Sequence, residues 1–229
     1  PSEPALPKKS YIRDMDSSAI EGVCLNDADT EIGLCGGNAI SDNGRFIAFM
    51  SSAAGFGLPP GSLTNIFIRD RVAGSTTRVT RGFNGAEPIG NSYSSFMELS
   101  GDGRFLLFHS EATNLVPDDT NGRTDVFLYD RDLGSIERVS LTLAGQQSPS
   151  HATIGGMSSD GTKIAYRYTS AANQEIVVYY DRTLGVRVPL NFTFDGTFIA
   201  NAGAQGMSAN GRYVTVRAPD ALTTDPTDG

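Results

Sequence analysis

The chain has 229 residues, 39% hydrophobic and 19% charged, with no Trp and a formal net charge of −8. The length suits one large all-β domain, and no apolar run approaches the roughly 18 residues that a membrane helix requires, so no membrane insertion is expected. Nucleic acid is not expected as a partner either: its binding rests on clustered Lys and Arg, and the 18 basic residues here are scattered among 26 acidic ones.

Residues 1–9, PSEPALPKK, read as an extended leader or arm, because closely spaced prolines favour an extended chain. From Ser10, SYIRDMDSSAIEGVCL reads as strand, turn and strand, a half-unit over 10–33. Cys24 and Cys35, the only cysteines, flank the polar loop LNDADTEIGL. Two thiols without further ligands do not make a zinc site. If the flanking segments are neighbouring strands, the sulfurs come within bonding distance, so a Cys24–Cys35 disulfide is expected ahead of two free thiols. Such a bond places the protein outside the cytosol: extracellular, periplasmic or at the cell surface.

The chain then repeats itself. AISDNGRFIAF from Ala39, ELSGDGRFLLF from Glu98, GMSSDGTKIAY from Gly156 and GMSANGRYVTV from Gly206 align, with Ser41, Ser100, Ser158 and Ser208 spaced 59, 58 and 50 residues apart. In each copy an apolar residue ends one strand, Ser-x-Asp/Asn-Gly turns the chain, and an apolar run begins the next strand. Asn-Gly and Asp-Gly tolerate the positive φ of two-residue hairpin turns, which are expected at Asn43-Gly44, Asp102-Gly103, Asp160-Gly161 and Asn210-Gly211. After a variable loop comes a second strand–turn–strand: NIFIRDRVAGSTTRVT from Asn65, DVFLYDRDLGSIERVS from Asp125 and IVVYYDRTLGVRVPL from Ile176. Asp70, Asp130 and Asp181, each followed by Arg, end the third strand, and Gly74, Gly134 and Gly185 lie in the following turn.

Four strands per unit result, and they are apolar on both faces, as in Phe105-Leu106-Leu107-Phe108. Sheets stacked face to face on both sides satisfy that pattern. The expected fold is therefore an all-β β-propeller of four-stranded antiparallel blades, about four blades' worth of sequence: half-blade 10–33, blades 34–90, 91–150 and 151–197, and half-blade 198–229. The repeated S-x-D/N-G-R-aromatic hairpin, followed by D-V-F-x-x-D-R, resembles the bacterial TolB-like propeller repeat over nearly the whole chain. That resemblance implies an envelope-associated protein-interaction role. It also implies six blades for an intact propeller, so four are a departure.

The two half-blades look complementary. SYIRDMDSSAIEGVCL matches the second signature with Asp14 at the position of Asp130, while APDALTTDPTDG from Ala218 parallels EATNLVPDDTNG, Leu222 matching Leu115 and Gly229 matching Gly122. Three readings stay open: a ring closed within the chain, a fragment of a longer propeller, and head-to-tail pairing of half-blades between molecules, since unpaired edges invite partners.

For chemistry, PDDTNGRTD offers Asp118, Asp119, Asn121 and Asp125 as hard oxygen donors that suit calcium, although the terminal bidentate Glu of a calcium loop is missing. The alternative reading is a turn-rich connection in which the same side chains cap backbone amides. NDADTE from Asn26 has the same two readings. There is no G-x-S-x-G and no H-E-x-x-H, and the only histidines are His109 and His151, expected to be structural. Asn191-Phe192-Thr193 is a glycosylation sequon at Asn191. The Asp-Arg pairs 70/71, 130/131 and 181/182 recur at equivalent positions and read as architecture. The expected function is a non-enzymatic extracellular or cell-envelope scaffold that binds a protein partner or itself, with no cofactor unless calcium. The alternative is part of a larger propeller enzyme of the lyase or hydrolase type, or a carbohydrate-binding propeller.

Overall fold

The computed structural model describes residues 10–33, 35–92, 96–193 and 195–218. The leader 1–9 and the loop match over 219–229 lie outside them. Sixteen strands are present among the described residues: β1 Tyr11–Arg13, β2 Ile20–Gly22, β3 Gly36–Ile40, β4 Phe46–Ser51, β5 Asn65–Asp70, β6 Ser75–Arg78, β7 Glu98–Leu99, β8 Phe105–Ser110, β9 Asp125–Asp130, β10 Ser135–Arg138, β11 Ala152–Met157, β12 Lys163–Thr169, β13 Glu175–Asp181, β14 Val186–Pro189, β15 Gly203–Met207 and β16 Val214–Arg217. The one helical segment among the described residues is a 3-10 turn, Ala54–Phe56. Among the described residues no helix is long and apolar enough to cross a membrane.

Three four-stranded sheets are simple antiparallel meanders, β3–β6, β7–β10 and β11–β14, and the pairs β1–β2 and β15–β16 form separate two-stranded sheets. Because successive side chains of a strand point to opposite faces, each sheet supplies two cores. Leu106 and Phe108 of β8 pack toward the preceding sheet with Ile66, Ile68 and Phe127. Phe105 and Leu107 of the same strand pack toward the following sheet with Ile164, Tyr166 and Val178. A third cluster joins Val23 and Cys24 to Ile47, Phe49 and Phe67, seating β1–β2 on the first full blade. Burying each such side chain contributes about 1.5–3 kcal/mol, so the blades are held by their flat faces.

The signature turn differs from the expected two-residue hairpin. Ser41 N–H donates to Phe46 O at 3.0 Å and Gly44 N–H to Ser41 O at 2.8 Å, so four residues, 42–45, connect the strands. The serine explains the difference. Its carbonyl is taken by Gly44, and its hydroxyl stands in for that carbonyl, accepting Phe46 N–H at 3.0 Å while donating to Asn43 Oδ1 at 2.7 Å. Ser100 does the same with Phe105 and Asp102 at 2.8 and 2.6 Å. The variable residue after each serine links neighbouring blades through its backbone: Asp42 N–H donates to Gly101 O, Gly101 N–H to Ser159 O, and Ser159 N–H to Ala209 O, at 3.1, 2.7 and 2.7 Å.

Candidate functional site

The acidic loop ahead of β9 does gather three of its four expected donors, but around a guanidinium. Arg138, at the end of β10, lies 3.3 Å from Asp119 Oδ1 and 3.7 Å from Asp125 Oδ2. Its Nη2 also donates to the carbonyl of Asp118 at 3.1 Å, and Asp118 takes a left-handed φ of 57°. Asn121 Nδ2 donates to Asp125 Oδ2 at 3.0 Å and to Ser148 O at 2.9 Å. Asp125 is buried and its Oδ1 accepts Ser140 Oγ–H at 2.5 Å. Gln147 Nε2 donates to Asp119 at 2.9 Å. Burial, and then the negative charge of Asp125, push the Asp119 carboxyl above the usual range.

The preceding blade shows where this arrangement comes from. There Arg78 donates to Asn65 Oδ1 at 3.0 and 2.8 Å, and Thr80 Oγ–H donates to the same oxygen at 2.9 Å. Asn65, Arg78 and Thr80 therefore stand where Asp125, Arg138 and Ser140 stand, and Glu87 takes the outer side of Arg78 at 2.5 Å. The arginine recurs in these two blades and ties the fourth strand to the start of the third, and in the next blade Pro189 takes its place. Among the described residues, no group of three or more His, Cys, Asp and Glu side chains is arranged to hold a metal ion.

The remaining candidates fall into the frame. Asn191 occupies the position of Thr80 and Ser140 and is fully buried. Its Oδ1 accepts Val177 N–H at 3.0 Å and its Nδ2 donates to Glu175 O and Ile199 O at 2.7 and 3.0 Å. The sequon reading is thus corrected: in the folded chain Nδ2 is inaccessible and already bonded, so Asn191 is a strap between strands. His151 Nδ1 accepts Thr124 N–H at 3.0 Å. His109 sits within β8, where burial pushes its pKa down. In the acidic stretch from Asn26, Asp29 pairs with the buried Arg69, and Asp27 accepts Thr76 N–H at 2.6 Å. Cys24 and Cys35 are disulfide-bonded with their Cα atoms 6.1 Å apart, joining the chain beyond β2 to the start of β3.

One group escaped the sequence reading. Glu98 of β7 is largely buried, receives the backbone N–H of Met157, and burial raises its pKa to about 7. Its repeat equivalents are Ala39, Gly156 and Gly206, so no other copy of the repeat carries an acid at this place.

Neither a family model nor a curated protein matches the chain. Solved structures do. TolB from Acinetobacter baumannii is 17% identical with a TM-score of 0.51, the match covering 92% of this chain and 43% of that one. A putative TolB from Agrobacterium tumefaciens is 14% identical with a TM-score of 0.50, covering 91% and 60% respectively. A prolyl endopeptidase is matched at 14% identity and a TM-score of 0.50, covering 80% of this chain and 25% of that one. The chain thus spans about half the length of the two TolB structures. At these identities the likeness concerns the fold alone, and that fold, met here through its repeat and its stacked meanders, is the TolB-like β-propeller.

Proposed function

We propose that this chain is a non-enzymatic propeller scaffold working outside the cytosol, at the cell envelope or beyond it, and that it holds protein partners on the loops that differ between its blades. One observation carries the reading: the ionisable side chains that recur from blade to blade are consumed in joining strands and blades. Asp70, Asp130 and Asp181 hold Arg45, Arg104 and Lys163 at 2.7, 2.8 and 3.0 Å. Arg71, Arg131 and Arg182 donate to the turn carbonyls of Gly44, Gly103 and Gly161 at 2.7, 3.0 and 2.8 Å. A catalytic centre instead needs a nucleophile or acid–base pair, usually present once, converging on a shared pocket. The Cys24–Cys35 bond supports an oxidising compartment.

The test has two arms. Purified chain is incubated with peptide, ester and polyuronate substrates; no turnover is expected, and turnover that falls in His109→Ala or His151→Ala would move the chain to the propeller enzymes. Envelope and culture-fluid proteins are passed over the immobilised chain, folded or reduced and unfolded. Saturable capture by the folded form alone is expected, and equal capture by both forms would count against the scaffold.

A further inference from the structure

We infer that the seam between the first and second full blades is a binding site for a small aromatic carboxylate, anionic at one end and carrying a hydrogen-bonding group at the other. The site is additional to the loops of the scaffold reading, which stands or falls separately.

One register position sets this seam apart. The residue before the closing Asp of each third strand faces the preceding blade, and its cross-strand partner lies on the fourth strand: Arg69 with Thr76, Tyr129 with Ile136, Tyr180 with Arg187. In two of the three seams hydrogen bonds cross the junction from this pair. The buried Arg69 donates to Asn26 O at 3.0 Å and pairs with Asp29. Arg187 lies over the Tyr180 ring at 3.8 Å and donates to Tyr166 Oη at 3.1 Å, and that hydroxyl donates to Leu141 O of the preceding blade at 2.5 Å. Between the first and second full blades Ile136 stands where Arg187 stands, and no such bond forms from either member of the pair.

What remains there is a cavity of about 550 Å³ bordered by Tyr129 and Ile136, a size that suits a small molecule. Tyr129 also borders a smaller cavity of about 230 Å³ beside Phe46 and Arg131. Tyr129 is 6% exposed, yet its hydroxyl has no hydrogen-bond partner among the described residues. A buried tyrosine hydroxyl ordinarily has one, so this one is available to a group in the cavity. The lining also holds two guanidiniums. That of Arg78 is matched by Glu87 at 2.5 Å. Arg81 makes no hydrogen bond or ion pair among the described residues, and it leaves one positive charge unmatched at the cavity. Leu115 and Val79, both buried, and Phe83, 60% exposed, supply an apolar lining.

These groups define the ligand. A single planar carboxylate matches the single free guanidinium fork, an aromatic ring packs against Phe83 and Leu115, and a hydroxyl at the far end completes Tyr129. Both walls are complete four-stranded sheets, β3–β6 and β7–β10, so the site depends on neither end of the chain.

Titration calorimetry on the purified chain tests it with three probes: para-hydroxyphenylpropionate, phenylpropionate and para-hydroxyphenylpropionamide. One saturable site is expected for the hydroxy acid. Tyr129→Phe should weaken that probe by about two- to tenfold and leave the affinity for phenylpropionate, which has no hydroxyl to lose, unchanged. Arg81→Gln should lower the acid to the affinity of the amide and leave the amide where it was. Ile136→Arg, which copies the third blade, should fill the cavity and abolish binding of all three. Thermal melts of the free proteins provide the control for folding: Tyr129→Phe and Arg81→Gln should melt with wild type, since neither group has a protein hydrogen bond to lose. Absence of saturable binding at millimolar hydroxy acid overturns the inference. So does an amide held as tightly as the acid by wild-type protein, or a hydroxy-acid affinity that neither Tyr129→Phe nor Arg81→Gln changes.

Discussion

Replacing Gly161 by Ala should destabilise the chain more than replacing Gly185 by Ala, although the two backbones are nearly identical at φ 68° and 69°. A left-handed φ costs an L-residue about 1–2 kcal/mol, and that cost is common to both. At Gly185, in the β13–β14 turn, a methyl group meets nothing within 4 Å, so the substitution should cost about 1–2 kcal/mol and no more. At Gly161 the methyl would lie 2.3 Å from Phe105 Cδ2 and 2.8 Å from its Cγ, and the ring is held from above by Arg182. Overpacking of this kind costs a further 1–3 kcal/mol or so, bringing the total to roughly 2–5 kcal/mol. Urea unfolding followed by circular dichroism measures both, and an unchanged m-value shows that stability is what changed. Equal losses in the two variants would mean that the ring yields freely, and that the glycine–aromatic contact does not fix the spacing of the blades.

The Glu98 carboxyl is raised from its ordinary 4.5 to about 7 by burial, so its contribution is complete below pH 4.5 and is lost as the pH rises through 7. At 1.36 kcal/mol per pH unit the loss is on the order of 3 kcal/mol. Glu98→Gln should flatten stability over that window, and a wild-type slope persisting in the variant would assign it to another group. Removing the bond between Cys24 and Cys35, 11 residues apart, with a Cys24→Ser, Cys35→Ser pair should cost about 2–3 kcal/mol; recovery of two free thiols from unreduced, denatured wild-type protein would contradict the bond itself. Arg138→Met leaves the side chains of Asp119 and Asp125, 1% and 0% exposed, without their cation, at a cost of about 3–5 kcal/mol. The loss should ease in acid, where Asp119 takes up a proton. Calcium should raise the melting temperature of this variant and leave that of wild-type protein unchanged; equal stabilisation of both would make the loop a metal site despite the guanidinium.

The blade pattern was legible because it is written several times over: Phe105-Leu106-Leu107-Phe108 reads as two-sided burial, and the stacked cores use those residues alternately. The turn was half legible. Asn43-Gly44 marks a reversal, but the hydroxyl of Ser41 replaces its own carbonyl and lengthens the connection, which no dipeptide preference encodes. The Asp-Arg pairs read correctly as architecture, but not as partners. Adjacent residues diverge, so Asp70 turns to Arg45 while Arg71 turns to Gly44 and Glu21. The burial of Asn191 could have been found by aligning it with Thr80 and Ser140. That of Glu98 could not, since its repeat equivalents Ala39, Gly156 and Gly206 carry no acid.

What separates the blades is their loops. The connection between the second and third strands carries a 3-10 turn, Ala54–Phe56, in the first full blade, where the Phe56 ring packs tilted against Phe49 and Phe67 at 5.4 and 4.7 Å. In the second it carries the acidic cluster around Arg138. In the third it shortens to a turn at 170–174, closed by Ser170 N–H donating to Gln174 O at 2.8 Å. These loops differ from blade to blade while the glycine, aromatic and arginine contacts between blades recur. A frame that spends its repeated charges on joining blades leaves the differences between blades to these loops.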